Sequence, residues 1–178
     1  HTVTAQVKVT NNGAPNYTGK SKDVVQLYVQ LPYEAGQAEK SAIQIADFEK
    51  TSALAAGESE TVTLSFSDYI FAAYDSNAVN GADTSRKGCY VFDAGDYYFA
   101  IGNGAHDALN NVLAARGVTG MFDGEGNAVS GDAAKAQKVT LTETDNVTYA
   151  VSPQTGEVVA NLFEDRDINH FIPDTVTY

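Results

Sequence analysis

The chain has 178 residues and a formal charge of −12 at pH 7, which excludes a nucleic-acid binder, since that needs basic surface to displace counterions, and leaves no attraction to an anionic membrane. This length suits one domain, or one domain with an appendage, and buries roughly 70% of the unfolded surface without help from a disulfide or metal. Cys89 is the single cysteine, so neither an internal disulfide nor a cysteine zinc site can form.

Thr2–Thr10 alternates, with Val3, Ala5, Val7 and Val9 on one face, as a half-buried antiparallel strand does. A turn at Asn11-Asn12-Gly13 and a loop to Lys20 lead to the stretch that organises the chain, Asp23–Gln30 (DVVQLYVQ). Val25, Leu27 and Val29 give it one fully apolar face and Val24, Gln26 and Tyr28 a mixed one, which suits a central strand of a sandwich. A polar connection from Leu31 to Ser41 precedes a strand over 43–50, and the turn ALAAGE precedes an alternating strand Thr61–Phe66.

Tyr69 to Tyr74 is aromatic, and the stretch onward to Lys87 reads as polar loop. Cys89–Phe92 and Tyr97–Ile101 flank Ala94-Gly95-Asp96, the signal of a hairpin. Ala105–Arg116 reads as a short helix with Leu109, Val112 and Leu113 on one face and Gly117 as its cap. Beyond it come a Gly/Asp/Asn loop over Gly120–Gly131, short strands at Lys138–Thr142, Val147–Val151 and Val158–Leu162, and a polar linker from Glu164 to Tyr178.

Catalytic and binding constellations are sparse. Asp123, Glu125 and Asn127 sit in DGEGN, but a calcium loop of EF-hand type needs Gly and Glu where Ala128 and Ala134 stand, so a flexible loop is the better reading. His106 and Asp107 adjoin each other and His170 lies far along the chain; Asp107 is more simply a partner for the helix dipole than a metal ligand. Asp165 and Asp167 alternate around a charge in EDRD and are expected to face water, no Gly-x-Ser-x-Gly turn occurs, and no cue marks a cleft with two converging carboxylates. Tyr90, Tyr97, Tyr98 and Phe99 are candidates for a sugar-stacking platform, although alternation places Tyr97 and Phe99 opposite Tyr98, so part of the set belongs to a core. Asn16-Tyr17-Thr18 and Asn146-Val147-Thr148 fit the glycosylation sequon, relevant only in a eukaryotic secretory host.

Taken in order, VKVTNNG, DVVQLYVQLPY, IADFEKT, LAAGESETVTLSF, AAYD and AGDYYFAIGNGAHD resemble the fibronectin type III-like domain of family 3 glycoside hydrolases, mainly β-glucosidases and related enzymes. The resemblance covers Thr2 to about Asp107 and implies an all-β, antiparallel fibronectin type III/immunoglobulin-like sandwich over residues 2–107. Residues 108–178 then form an extension of helix, Gly-rich loop, short strands and linker, and NLFEDRDIN and DTVTY resemble a connection to a catalytic barrel. The usual tryptophan between Tyr74 and Tyr90 is missing. The family's nucleophilic Asp lies on its barrel and its acid/base Glu on an α/β domain. Neither motif occurs here, so no catalytic residue and no cofactor is expected, and the implied role is a non-catalytic domain whose partners are that α/β sandwich domain and barrel. A carbohydrate-binding or adhesive module is the alternative.

Apolar residues in the extension (Leu109, Val112, Leu113, Met121, Phe122, Val158, Leu162, Phe163 and Phe171) predict that it packs along the sandwich or a neighbouring domain rather than hangs as a tether, the competing reading being that only Ala105–Gly117 packs. No apolar run reaches the ~18 residues of a membrane span and no signal-peptide pattern occurs; the opening at His1 reads as that of an excised segment. The resemblance leans towards the outside or surface of a bacterial cell, with the cytoplasm open.

Overall fold

The computed structural model describes residues 1–164. The expected linker from Glu164 onward, with Asp165, Asp167, His170 and Phe171, lies outside them, apart from Glu164 itself. Strand β1 (Thr2–Thr10) pairs antiparallel with β4 (Ser59–Ser67), setting Val3 against Phe66 and Val7 against Val62. Facing this pair is a four-stranded antiparallel sheet in which β2 (Val24–Gln30) lies between β3 (Gln44–Lys50) and β7 (Gly95–Gly102), with β10 (Ala136–Leu141) on the far side of β7. A third sheet sets β6 (Lys87–Phe92) between β5 (Ala73–Val79) and β11 (Asp145–Tyr149).

The alternation read in the sequence governs the packing. Val25, Leu27 and Val29 from β2 and Val62 and Leu64 from β4 are buried in one apolar cluster, against which Val7, Val9 and Phe66 pack half-buried. Tyr97 and Phe99 of β7 join it, whereas Tyr98 and Ala100 point to the opposite face with Tyr28. That face is covered by α1 (Ala105–Ala115), which makes the architecture a β-sandwich with one helix laid on its outer face.

Helix α1 ends as the sequence predicts. Gly117 adopts φ 79°, its N–H donates to Ala114 O at 2.9 Å and the Val118 N–H donates to Leu113 O at 2.9 Å, the paired bonds of a Schellman motif. Its buried stripe, however, is Ala108, Asn111 and Val112, with Leu109 and Leu113 only half-buried. The reason is how close the helix lies to the sheet: a Cβ on Gly102 would fall 2.5 Å from the backbone nitrogen of Ala108. Small residues let the two backbones meet, so the larger leucines sit at the flanks.

Four other expectations are corrected. The stretch before Lys87 contains strand β5 rather than loop alone. The Ala94-Gly95-Asp96 turn does not close a hairpin, because β6 and β7 belong to different sheets and the chain crosses the sandwich at Asp93-Ala94. Within the Gly-rich loop, β8 (Met121–Phe122) and β9 (Ala128–Val129) form a small ribbon. Val158–Leu162 contributes one bridge, Val158 to Val151, and no strand.

The segment after residue 107 is woven into the sandwich. β10 runs antiparallel to β7 from Ala136↔Ala100 to Leu141↔Gly95, and β11 pairs with β6. Two buried asparagines complete the joins. Asn111 donates to Ile101 O at 2.8 Å and accepts from Asp132 N at 2.7 Å, tying α1 to β7 and to the approach of β10. Asn80 donates to Ala150 O and Val159 O while accepting from the Ala82 and Asp83 amides, so all of its buried amide is used.

Tyrosines close the other end of the core. The Tyr69 ring packs edge-on against Tyr149 (4.8 Å between centroids) and Tyr90 (5.1 Å). Burial, then the hydrogen bond and proximity of Tyr90, push the Tyr69 pKa from 10.0 up to about 12. The fold thus favours the neutral phenol, so its contribution is complete below pH 10.0 and is lost as the pH rises towards about 12. Urea midpoints should therefore fall between about pH 10 and 12, and Tyr69→Phe should shrink that fall. An equal fall in the variant would show that Tyr69 does not set it.

Candidate functional site

One end of the sandwich carries a trough of about 490 Å³ between the β2–β3 connection, the start of β7 and the end of α1. The size falls within the range of small-molecule sites. The connection is long because β3 starts only at Gln44, and Pro32 steers it over Gly95, where an added Cβ would sit 2.7 Å from Pro32 Cβ. A φ of 133° at Gly95 adds a second reason for glycine there.

Lys40 anchors the connection from below. Its ammonium lies 2.7 Å from Asp93 Oδ2, with side chains 3% and 12% exposed. That oxygen accepts no well-directed hydrogen bond among the described residues, so the contact is a charge pair and Lys40 is its counter-charge. Lys40 also donates to Ala38 O at 3.2 Å and stands 5.9 Å from the centre of the Tyr33 ring.

The trough walls are held by their own bonds. Gln30 donates to Ala42 O at 2.9 Å and accepts from Arg116 Nη1 at 2.7 Å. The Arg116 guanidinium lies 5.8 Å from the Tyr98 ring centre. Asp96 accepts from Thr140 and from Lys138, and these bonds hold its carboxyl below the ordinary carboxylate range. The result is an exposed aromatic ring, Tyr33, beside charged and amide groups of both signs.

The residues singled out from the sequence are dispersed. Tyr97 is buried, donating to Asp93 O, and Phe99 packs in the main core, so of the expected platform only Tyr98 reaches the trough; Tyr90 packs beside Tyr69 and Tyr74 elsewhere. Asp107 accepts from Asn103 N at 2.9 Å at the helix start, and His106 is exposed. The Asp123 carboxylate is consumed by its own turn, accepting from the Asn127 side chain and amide and from Glu125 N, so the DGEGN stretch is a closed turn rather than a slack loop. No group of three or more His, Cys, Asp or Glu able to hold a metal occurs among the described residues. Asn146 donates to Val79 O at 2.8 Å, leaving Asn16 as the exposed sequon asparagine. Cys89 is buried, and that burial raises its thiol pKa. Tyr33, Lys40 and Arg116 went unmarked in the sequence; their one signal was the length of the connection that carries two of them.

Residues 23–105 match the family model of the fibronectin type III-like domain. This segment is a fibronectin type III-like domain. Its relatives are β-glucosidases of fungi and bacteria. The probable β-glucosidase F of Aspergillus flavus is 49% identical over 63 residues, 35% of this chain and 7% of that protein. A β-glucosidase of Ruminococcus albus is 31% identical over 106 residues, 60% of this chain and 10% of that one. The solved β-glucosidase from Paenibacillus barengoltzii superposes with a TM-score of 0.50 at 28% identity, over 80% of this chain and 12% of its own. The chain thus spans a tenth or less of the length of these curated relatives. The fibronectin type III-like domain expected from the motif order is therefore present. The superposed 80% exceeds what residues 23–105 alone would give, so the likeness of fold extends beyond the fibronectin type III-like segment.

Proposed function

We propose that this chain is a non-catalytic structural domain of a β-glucosidase-like glycoside hydrolase. In this reading it holds an α/β domain and a catalytic barrel in the relative position their shared chemistry needs. The observation that carries the reading is the match itself: a fibronectin type III-like domain, aligned with a tenth or less of proteins named β-glucosidases. The physical argument is positional. Catalytic groups on separate bodies must converge, and a misplacement of about 1 Å costs on the order of 100-fold in rate. A sandwich stiffened by β10, β11 and two buried asparagines is suited to that task.

Two measurements test it. The purified 178-residue chain should show no turnover of 4-nitrophenyl β-glucoside; turnover abolished by replacing a single Asp or Glu would make it an enzyme in its own right. In a longer hydrolase carrying this sequence, activity should be lost at the temperature where the sandwich melts, and Leu27→Ala should lower both together. Activity surviving after the sandwich has unfolded would end the structural reading.

A further inference from the structure

The trough at the end of the sandwich has a chemistry that orienting neighbouring domains does not require. We propose that it is a binding site for a neutral saccharide, recognised by Tyr33, Glu34, Gln37, Ser41 and Arg116.

Its polar groups come in complementary kinds. The Glu34 carboxylate and the Ser41 hydroxyl have no protein hydrogen-bond partner among the described residues. The Gln37 carbonyl accepts from Glu34 N, which leaves its amide N–H₂ for a ligand. Arg116 spends one bond on Gln30 and keeps further donors. A carboxylate only accepts, a guanidinium only donates, and neighbouring hydroxyls on a sugar ring do both. A vicinal diol can therefore donate to Glu34 while accepting from Arg116 or Gln37. An amide also carries a donor and an acceptor, but it lacks the C–H face that an exposed aromatic ring can stack on.

Charge balance points the same way. Lys40 is neutralised by Asp93 and Asp96 by Lys138, which leaves Arg116 with Glu34 in the lining and Glu39 beside Tyr33, so the trough carries no excess of positive charge. A phosphate or polyanion would find one cation opposed by a carboxylate.

Tyr33 supplies the apolar contact. Its hydroxyl donates to Glu39 at 3.1 Å and Lys40 lies beside its ring, which fixes its orientation, yet the residue stays 48% exposed. A fixed, exposed aromatic ring beside planar polar side chains suits the C–H face of a pyranose. Arg116 and Tyr33 are held before any ligand arrives, by Gln30 and by Glu39 with Lys40, so little ordering cost attaches to those two groups.

The proposal concerns the chain alone and stands or falls separately from its structural role. Amide chemical shifts of the 178-residue chain should be followed during titration with cellotetraose and with maltotetraose, neutral glucose oligomers of opposite anomeric linkage. The expected result is a dissociation constant of about millimolar for at least one of them, with shifts confined to 30–42, 94–98 and 116. Arg116→Ala, at an exposed position, should weaken binding roughly tenfold or more, and Tyr33→Ala likewise. Thermal unfolding checks that each variant is folded, and should one fail, the shift map of the unaltered chain still decides. Absence of shifts with both oligomers, shifts centred elsewhere, or binding unchanged in folded Arg116→Ala would overturn the assignment.

Discussion

Lys40→Met should destabilise the chain by about 3–5 kcal/mol, because it strands a buried carboxylate without its counter-charge. Asp93 is 12% exposed and the Lys40 side chain 3%, so water cannot replace the missing ammonium. Isolated surface pairs contribute at most about 1 kcal/mol; burial makes this one different. Removing both charges together should reverse the loss. Lys40→Met combined with Asp93→Leu should recover most of the loss, since a well-packed apolar pair of similar volume is often as stable as the ion pair it replaces. Urea unfolding with an unchanged slope would measure both. A single-variant loss below about 1 kcal/mol, the range of exposed pairs, would mean that Asp93 reaches solvent.

Leu27→Ala should cost about 2–5 kcal/mol, the range for emptying a leucine-sized space in a close-packed core. Leu27 is 4% exposed and belongs to the strand that pairs with β3 on one edge and β7 on the other. A hole there unsettles contacts to both β4 and β7. Val24→Ala in the same strand makes the control, since Val24 is exposed and should cost far less. A Leu27→Ala change below about 0.5 kcal/mol, the scale of surface substitutions, would take Leu27 out of the core and undo the register of β2.

Elements with a clear period were legible from the residues. β1 alternates because one face meets the core and the other meets water, and α1 announces itself through its length and Gly117. What escaped reading depends on partners distant in sequence. Ala94-Gly95-Asp96 looks alike whether the chain turns back or crosses to the other sheet, and only the pairing of β7 with β2 decides. Asn80, followed by Gly81, has the composition of a surface turn, yet it is fully buried because its partners arrive 70 and 79 residues later. Lys40 read as one more charge in a polar connection, since nothing local reveals a carboxylate 53 positions away, at Asp93. The trough is of the same kind. Three segments distant in sequence meet there, and no local pattern announces their meeting.

The order of strands in the four-stranded sheet also sets a timetable for synthesis. β2 and β3 emerge together, but the other neighbour of β2 is β7, which begins 65 residues after β2 ends, between Gln30 and Gly95. At translation speeds of about 5–20 residues per second, the nascent β2 waits roughly 3–13 s for that partner. Its apolar face, Val25, Leu27 and Val29, is meanwhile a sticky surface on an unfinished chain. β10 and β11 come later still, so both larger sheets close only when the last strands leave the ribosome. Such non-local pairing folds slowly, and a polypeptide truncated before Asp145 should present to chaperones as an unclosed sandwich rather than as a smaller finished one.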